Sequence, residues 1–168
     1  RKLKLPQLIC GGGQEHGSRA GTENLIGIAG LVSALTDATA DEALTVECQR
    51  HEYESSLLKR FPFAVIHGKE AKRATHITYV SFAPKCGHKL QAALDARGVS
   101  VSTGSACHDD GSVTLSPVLA AMGTDEQLAR GTLRISMGWN TTPQDWQGLL
   151  DVLGDLLQGD FASKLDQE

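Results

Sequence analysis

The stretch from Ile77 to Ser102 limits what this chain can become more than any other part of it. Ile77-Thr-Tyr-Val-Ser-Phe82 is rich in β-branched and aromatic residues and predicts a strand. Gly87 to Arg97 carries Leu90, Ala93 and Leu94 at helical spacing, with Gly98 as the C-cap, and predicts an amphipathic helix. Val99-Ser-Val-Ser102 predicts a short strand directly after it. Strand, helix and strand follow one another without a long linker, so the fold class is α/β or α+β in one main compact unit.

The flanking sequence agrees. From Asn24, the residues Leu25, Ile28, Ala29, Val32 and Leu35 recur every three or four positions and predict a helix. Asp37-Ala-Thr-Ala-Asp41 interrupts it, and a second periodic run reaches about Arg60. Ala64 to Gly68 predicts a short strand after Phe61-Pro-Phe63. Ser116-Pro117 opens a helix that Gly123 ends, and Thr124 to Gln127 caps a short one reaching Arg130. Gly131 to Met137 predicts a strand, and Thr142-Pro143 opens a final helix to about Leu157. Residues 3–10 read as an apolar strand end that breaks at Gly11-Gly-Gly13, and Cys10 there is expected in the core.

Composition excludes several functions. The net charge is -4, which offers no basic footprint for nucleic acid or an anionic membrane. No apolar run approaches the roughly 18 residues of a membrane helix. The four cysteines, Cys10, Cys48, Cys86 and Cys107, form no C-x-x-C pair and match no zinc-site spacing, so no metal site is expected. Reduced thiols in a cytoplasmic protein fit this pattern.

Among those thiols Cys107 stands apart. It lies within Thr103-Gly-Ser-Ala-Cys107-His-Asp-Asp-Gly111, small and polar on both sides, which predicts a mobile, reachable loop. A nucleophilic thiol needs that access together with thiolate character. An incidental loop cysteine is the alternative. Cys48 reads as helical filler, and Cys86 sits at a helix start without further support.

Gly11-Gly-Gly-Gln-Glu-His-Gly17 lacks the Lys-Ser/Thr of a P-loop and is not a G-x-G-x-x-G fingerprint. Ser18-Arg-Ala-Gly-Thr22 then leads into a helix, where a hydroxyl beside an arginine suits an anion. An ordinary helix cap at Thr22 explains the same residues. Arg134 is a lone cation in Thr132-Leu-Arg-Ile-Ser136; a substrate carboxylate and an internal salt bridge both fit it. The histidines show no mutual metal-ligand spacing.

Taken together, four segments resemble the NifS/IscS-like cysteine desulfurases, enzymes of the class V aminotransferase family with PLP fold type I. They are Gly11 to Asn24, Val101 to Cys107, Ser116 to Gly123, and Thr132 to Gly138 closed by Thr141-Thr142. The resemblance spans nearly the whole chain in the right order. It implies the small C-terminal domain at 37–168, preceded at 1–36 by the end of the large PLP-binding domain and a linking helix. It further implies that Cys107 takes sulfur from L-cysteine, leaving alanine and a Cys107 persulfide for an acceptor or iron–sulfur scaffold protein. Arg134 would hold the substrate carboxylate, and Thr22 would reach the phosphate of pyridoxal 5'-phosphate across a homodimer interface. His16 and Trp139-Asn140 depart from the family pattern, which bears on local substrate contacts.

The family's Schiff-base lysine belongs to a Ser-x-His-Lys motif upstream of the glycine segment, and the chain has no such motif. Because the cofactor is the electron sink in this chemistry, the chain is expected to be an incomplete catalytic unit. Selenocysteine lyase is a close alternative, favoured by Ala-Cys107-His and the longer segment before Ser116-Pro117. A sulfur-relay or scaffold-binding module without its own catalysis is the alternative of another class.

Overall fold

The protein was analysed as a computed structural model that describes residues 6–38, 40–103, 106–107, 113–114 and 116–158, with residues 40–43, 106–107 and 113–114 described by their backbone alone. The chain forms two compact units, residues 1–39 and 40–168.

The first unit holds the single turn α1 (Gln14–Gly17) and the helix α2 (Leu25–Asp37). Glu15 and His16 in α1 sit in the left-handed region, at φ 52 and φ 54. The helix cap differs from expectation. Asn24, not Thr22, accepts from the Gly27 amide at 3.0 Å, because its side chain lies three residues before an unpaired first-turn N–H. Residues 6–10 form no strand, and Cys10 is exposed rather than in a core. Its apolar neighbours Leu8 and Ile9 are exposed as well, so among the described residues no packed layer surrounds the thiol.

The second unit is built around a sheet of order β1-β2-β6-β3, antiparallel at every pairing. Its strands are β1 (Val65–Ile66), β2 (Ile77–Ser81), β3 (Ser102–Thr103) and β6 (Thr132–Ser136). A separate two-stranded ladder pairs β4 (Ala106–Cys107) with β5 (Val113–Thr114). The helices are α3 (Ala40–Arg60), α4 (Gly87–Asp95), α5 (Pro117–Ala121), α6 (Glu126–Arg130) and α7 (Pro143–Gln158). This is the mixed α/β class expected from the alternation of elements.

Strand period 2 and helix period 3.6 meet in one core. The inward row of the sheet is Ile66, Val80, Leu133 and Ile135. Against it pack Tyr53 and Leu57 of α3, Leu90 and Leu94 of α4, and Trp146, Leu149, Leu150 and Leu153 of α7. Tyr53 and Trp146 stack with centroids 4.4 Å apart, joining α3 to α7. Burying each such large side chain contributes about 1.5–3 kcal/mol.

Polar ties fix the remaining elements. Glu54, buried on α3, receives both Nη atoms of Arg73 at 2.8 and 2.7 Å and the Thr78 hydroxyl at 2.9 Å. Ser116 caps α5 and accepts from Leu119 N, as expected. Within the expected cap segment, Asp125 caps α6. At the start of α7, Thr142 and Asp145 exchange side-chain-to-backbone bonds in both directions.

Strand β3 begins later than the sequence suggests. Gly98 turns left-handed at φ +77, Val99 N returns to Leu94 O, and Gln91 Nε2 donates to Val101 O. The exit from α4 therefore occupies residues 99–101, and ladder pairing starts at Ser102.

Candidate active site

The sheet presents its second face away from the helical core, and residue parity decides what stands there. In β2 and β6 the pairs are Ile77 with Ser136, Tyr79 with Arg134, and Ser81 with Thr132. The flanking backbone bonds, Phe82 N to Gly131 O at 3.0 Å and Met137 N to His76 O at 2.9 Å, set the phase of the ladder. By alternation, Tyr79–Arg134 and Ser81–Thr132 are non-hydrogen-bonded pairs, the class in which facing side chains come closest. Ser102 of β3 flanks Arg134 on its other side, and His67 N donates to Tyr79 O at 2.8 Å beyond β2. One transverse row thus runs His67, just past β1, then Tyr79, Arg134 and Ser102 across β2, β6 and β3.

Part of this face is sealed. Ser81 and Thr132 are fully buried, and the Thr132 hydroxyl donates to Leu128 O of α6 at 3.0 Å. His67 Nε2 lies 2.6 Å from Ser81 Oγ. Burial holds the His67 ring below the ordinary histidine pKa. Beside it, a cavity of about 290 Å³ is lined by His67, Ile77, Tyr79 and Met122 among others.

The Arg134 side chain is exposed and makes no hydrogen bond or ion pair among the described residues. Among the described residues, the internal salt bridge that the sequence left open is therefore not formed. A guanidinium carried on a central strand, with its donors unused, is suited to a planar carboxylate.

Cys107 does not sit in a plain loop. Its backbone is in β4, paired with Val113 of β5. The expected mobile loop is thus corrected to a short ladder at Cys107 itself; His108 to Ser112 lie outside the described residues. The chain from Ser102 to Cys107 reaches at most about 18 Å when extended, so the cysteine is tethered to the end of the strand that flanks Arg134.

Thr22 belongs to the first unit, where it is exposed. Its carbonyl accepts from Arg19 Nη1 at 3.5 Å, while Asn24 carries the cap. The Thr22 hydroxyl is thereby left unused among the described residues, just ahead of the N-terminus of α2. A hydroxyl in front of helix amides fits one edge of a phosphate group, so this segment is compatible with the phosphate of PLP. Sequence reasoning did not identify Tyr79 or His67 as part of the same face. Only the strand register puts them beside Arg134, and that register cannot be read before β2 and β6 are paired.

Cys86 is half-buried at the cap of α4, and Cys48 is exposed on α3. Among the described residues, no three histidine, cysteine or acidic side chains are grouped as a metal site. No described helix is long and apolar enough to cross a membrane.

Comparison with known proteins places these features in context. The model of the Aminotransferase class-V family matches residues 6–149. Cysteine desulfurase IscS of Dictyoglomus turgidum is 35% identical over 158 residues, covering 92% of this chain and 40% of that protein. Cysteine desulfurase IscS of Methanosarcina thermophila is 36% identical over 159 residues, covering 93% of this chain and 39% of that protein. A NifS-like protein from Rickettsia africae superposes with a TM-score of 0.76 at 27% identity, covering 93% of this chain and 41% of the other. The chain therefore spans about 40% of the length of the relatives it matches.

Proposed function

Because this chain belongs to the class-V aminotransferase family, we propose that it is the C-terminal part of a PLP-dependent cysteine desulfurase. The observation that carries this reading is the unpaired, exposed Arg134 on a central strand, flanked by the strand that leads to Cys107. Named cysteine desulfurases at 35–36% identity over nearly the whole chain support it.

In this reading Arg134 binds the carboxylate of L-cysteine and fixes the amino acid for reaction. Cys107, as thiolate, attacks the substrate sulfur. A sulfur–sulfur bond forms, the substrate carbon–sulfur bond breaks with its electron pair left on carbon, and that carbon takes a proton to give L-alanine. Cys107 then holds a persulfide for transfer to an acceptor protein. Thr22 meets the phosphate of PLP, in a homodimer across the subunit interface. PLP, when bound, supplies the electron sink that makes the carbon–sulfur bond labile. The lysine that anchors PLP comes from outside this chain, and the reaction is cytoplasmic.

The test is sulfide release from L-cysteine with PLP and a thiol reductant, using this chain together with a lysine-bearing N-terminal portion. Release that disappears in Cys107→Ser is expected. Full release by the Cys107→Ser protein would overturn the assignment of the nucleophile, and release by the chain alone would overturn the assignment of the lysine.

A further inference from the structure

Arg134 is not alone on its face. Tyr79 is its cross-strand neighbour in a non-hydrogen-bonded pair, the closest approach that an antiparallel ladder gives two side chains. Both are long side chains rising from the same side of the sheet. The Tyr79 ring meets His67 edge-on, with centroids 5.8 Å apart and planes at 62°. His67 is in turn held through Nε2 by the buried Ser81 hydroxyl. The Tyr79 ring thus has a fixed neighbour on the β1 side, and Arg134 is its ladder partner on the β6 side. Its hydroxyl has no hydrogen-bond partner among the described residues.

The chemistry of the two tips is complementary toward one kind of ligand. A carboxylate bound by the arginine fork uses one lone pair on each oxygen and keeps another on each. A tyrosine hydroxyl is protonated at neutral pH, so it can donate to one of those remaining lone pairs. His67 cannot serve in the same way, because its Nε2 is engaged below the surface.

We propose that Tyr79 is a second substrate-binding residue of the Arg134 site. Its hydroxyl donates to the carboxylate that Arg134 clamps, so that the pair selects acids over amides. This rests on the reading of Arg134 as the carboxylate-binding residue.

The experiment uses the PLP-loaded protein that includes this chain, and measures dissociation constants by calorimetry. The probes are 3-mercaptopropionate, which has the thiol and carboxylate of cysteine without its amine, and the matching amide, 3-mercaptopropionamide. Tyr79→Phe is expected to weaken the acid about tenfold, since hydrogen bonds to charged groups are the stronger ones. It should leave the amide within twofold and raise KM for L-cysteine while kcat changes little. Tyr79→Leu, which also removes the ring, should weaken the acid at least as much.

Equal weakening of acid and amide in Tyr79→Phe would overturn the proposal, since a merely structural role moves both. An unchanged acid constant in Tyr79→Phe, beside a weakened one in Arg134→Ala, would remove Tyr79 from the site and leave the Arg134 reading intact. An unchanged acid constant in Arg134→Ala would overturn that reading, and the proposal with it.

Discussion

The hydroxyls of Ser81 and Thr132 lie 2.6 Å apart in a fully buried pair across β2 and β6, and proton counting makes that contact directional. Thr132 has one hydroxyl proton, and it goes to Leu128 O. Ser81 must therefore donate to Thr132, which leaves Ser81 able only to accept from His67. The neutral His67 ring is accordingly the tautomer with its proton on Nε2. Nitrogen-15 imidazole shifts are expected to report that tautomer, and Ser81→Ala should release the preference. An Nδ1–H ring in the native protein would contradict the hydrogen-bond chain.

The same residue makes stability depend on pH. Burial lowers the native pKa of His67 from the ordinary value near 6.5, so the unfolded chain binds this proton more readily than the native one. The contribution is fully present above about pH 6.5, and is lost as pH falls from there through the lower native value. Denaturant midpoints measured downward from pH 7.5 should fall more steeply for the native sequence than for His67→Phe. A parallel pair of curves would show that His67 is not the group responsible.

Glu54 and Arg73 offer a test of packing. Glu54 is buried, and its carboxylate takes two bonds from Arg73 and one from Thr78, tying α3 to the segment entering β2. Removing one partner of a buried pair leaves the other charge uncompensated, at about 3–5 kcal/mol. Arg73→Ala is expected to destabilise toward the lower end of that range, because its side chain retains 15% exposure. Urea unfolding of Arg73→Ala beside Arg73→Met would separate loss of charge from loss of bulk.

Two glycines should respond in opposite directions to alanine. A Cβ on Gly131 would lie 2.8 Å from the Lys85 carbonyl and 3.1 Å from the Ala83 amide, both backbone atoms that cannot swing aside. Gly131→Ala should therefore shift the start of β6 and lower the melting temperature. Gly148 lies inside α7 with nothing within 4 Å of the same atom. Gly148→Ala should stabilise by about 0.5–1 kcal/mol through helix propensity. Thermal unfolding of the two variants side by side checks both directions.

The opening turn of α7 gives a further expectation. Thr142 donates from both its hydroxyl and its backbone to the Asp145 carboxylate, which holds Asp145 below the usual aspartate pKa. That stabilisation is present above the ordinary aspartate value and is lost as pH falls through the lowered one. Thr142→Ala should return Asp145 toward its ordinary titration, read by carboxyl carbon shifts.

Where local chemistry decides structure, the sequence was enough. The β-branched run at Ile77, the leucine spacing of α4 and the Thr142-Pro143 opening of α7 each carry their own signal, and each element forms where expected. The family resemblance rested on the same kind of local motif. What failed depended on competition or on distance. Asn24 rather than Thr22 caps the helix because the first helical turn begins at Leu25, a boundary the side-chain chemistry of either residue fits. Val99 to Val101 have strand-like side chains but are consumed in closing α4. Cys10 followed an apolar run, yet burial needs a facing layer that no run of residues encodes by itself. Tyr79 and His67 joined Arg134 only through pairings between segments far apart in the chain.

The strand order carries a consequence for how the molecule comes to exist. Strand β6 lies between β2 and β3, although it follows both of them in the chain. During synthesis the two outer partners emerge first and have no common neighbour, so the sheet cannot close until residues 132–136 leave the ribosome and insert. Such late, non-local insertion is slow compared with helix formation. The guanidinium of Arg134 rides on the inserting strand itself. The carboxylate-binding geometry proposed for it would therefore be created in the same event that completes the sheet, and a half-made chain would carry Cys107 before the proposed substrate site beside it exists.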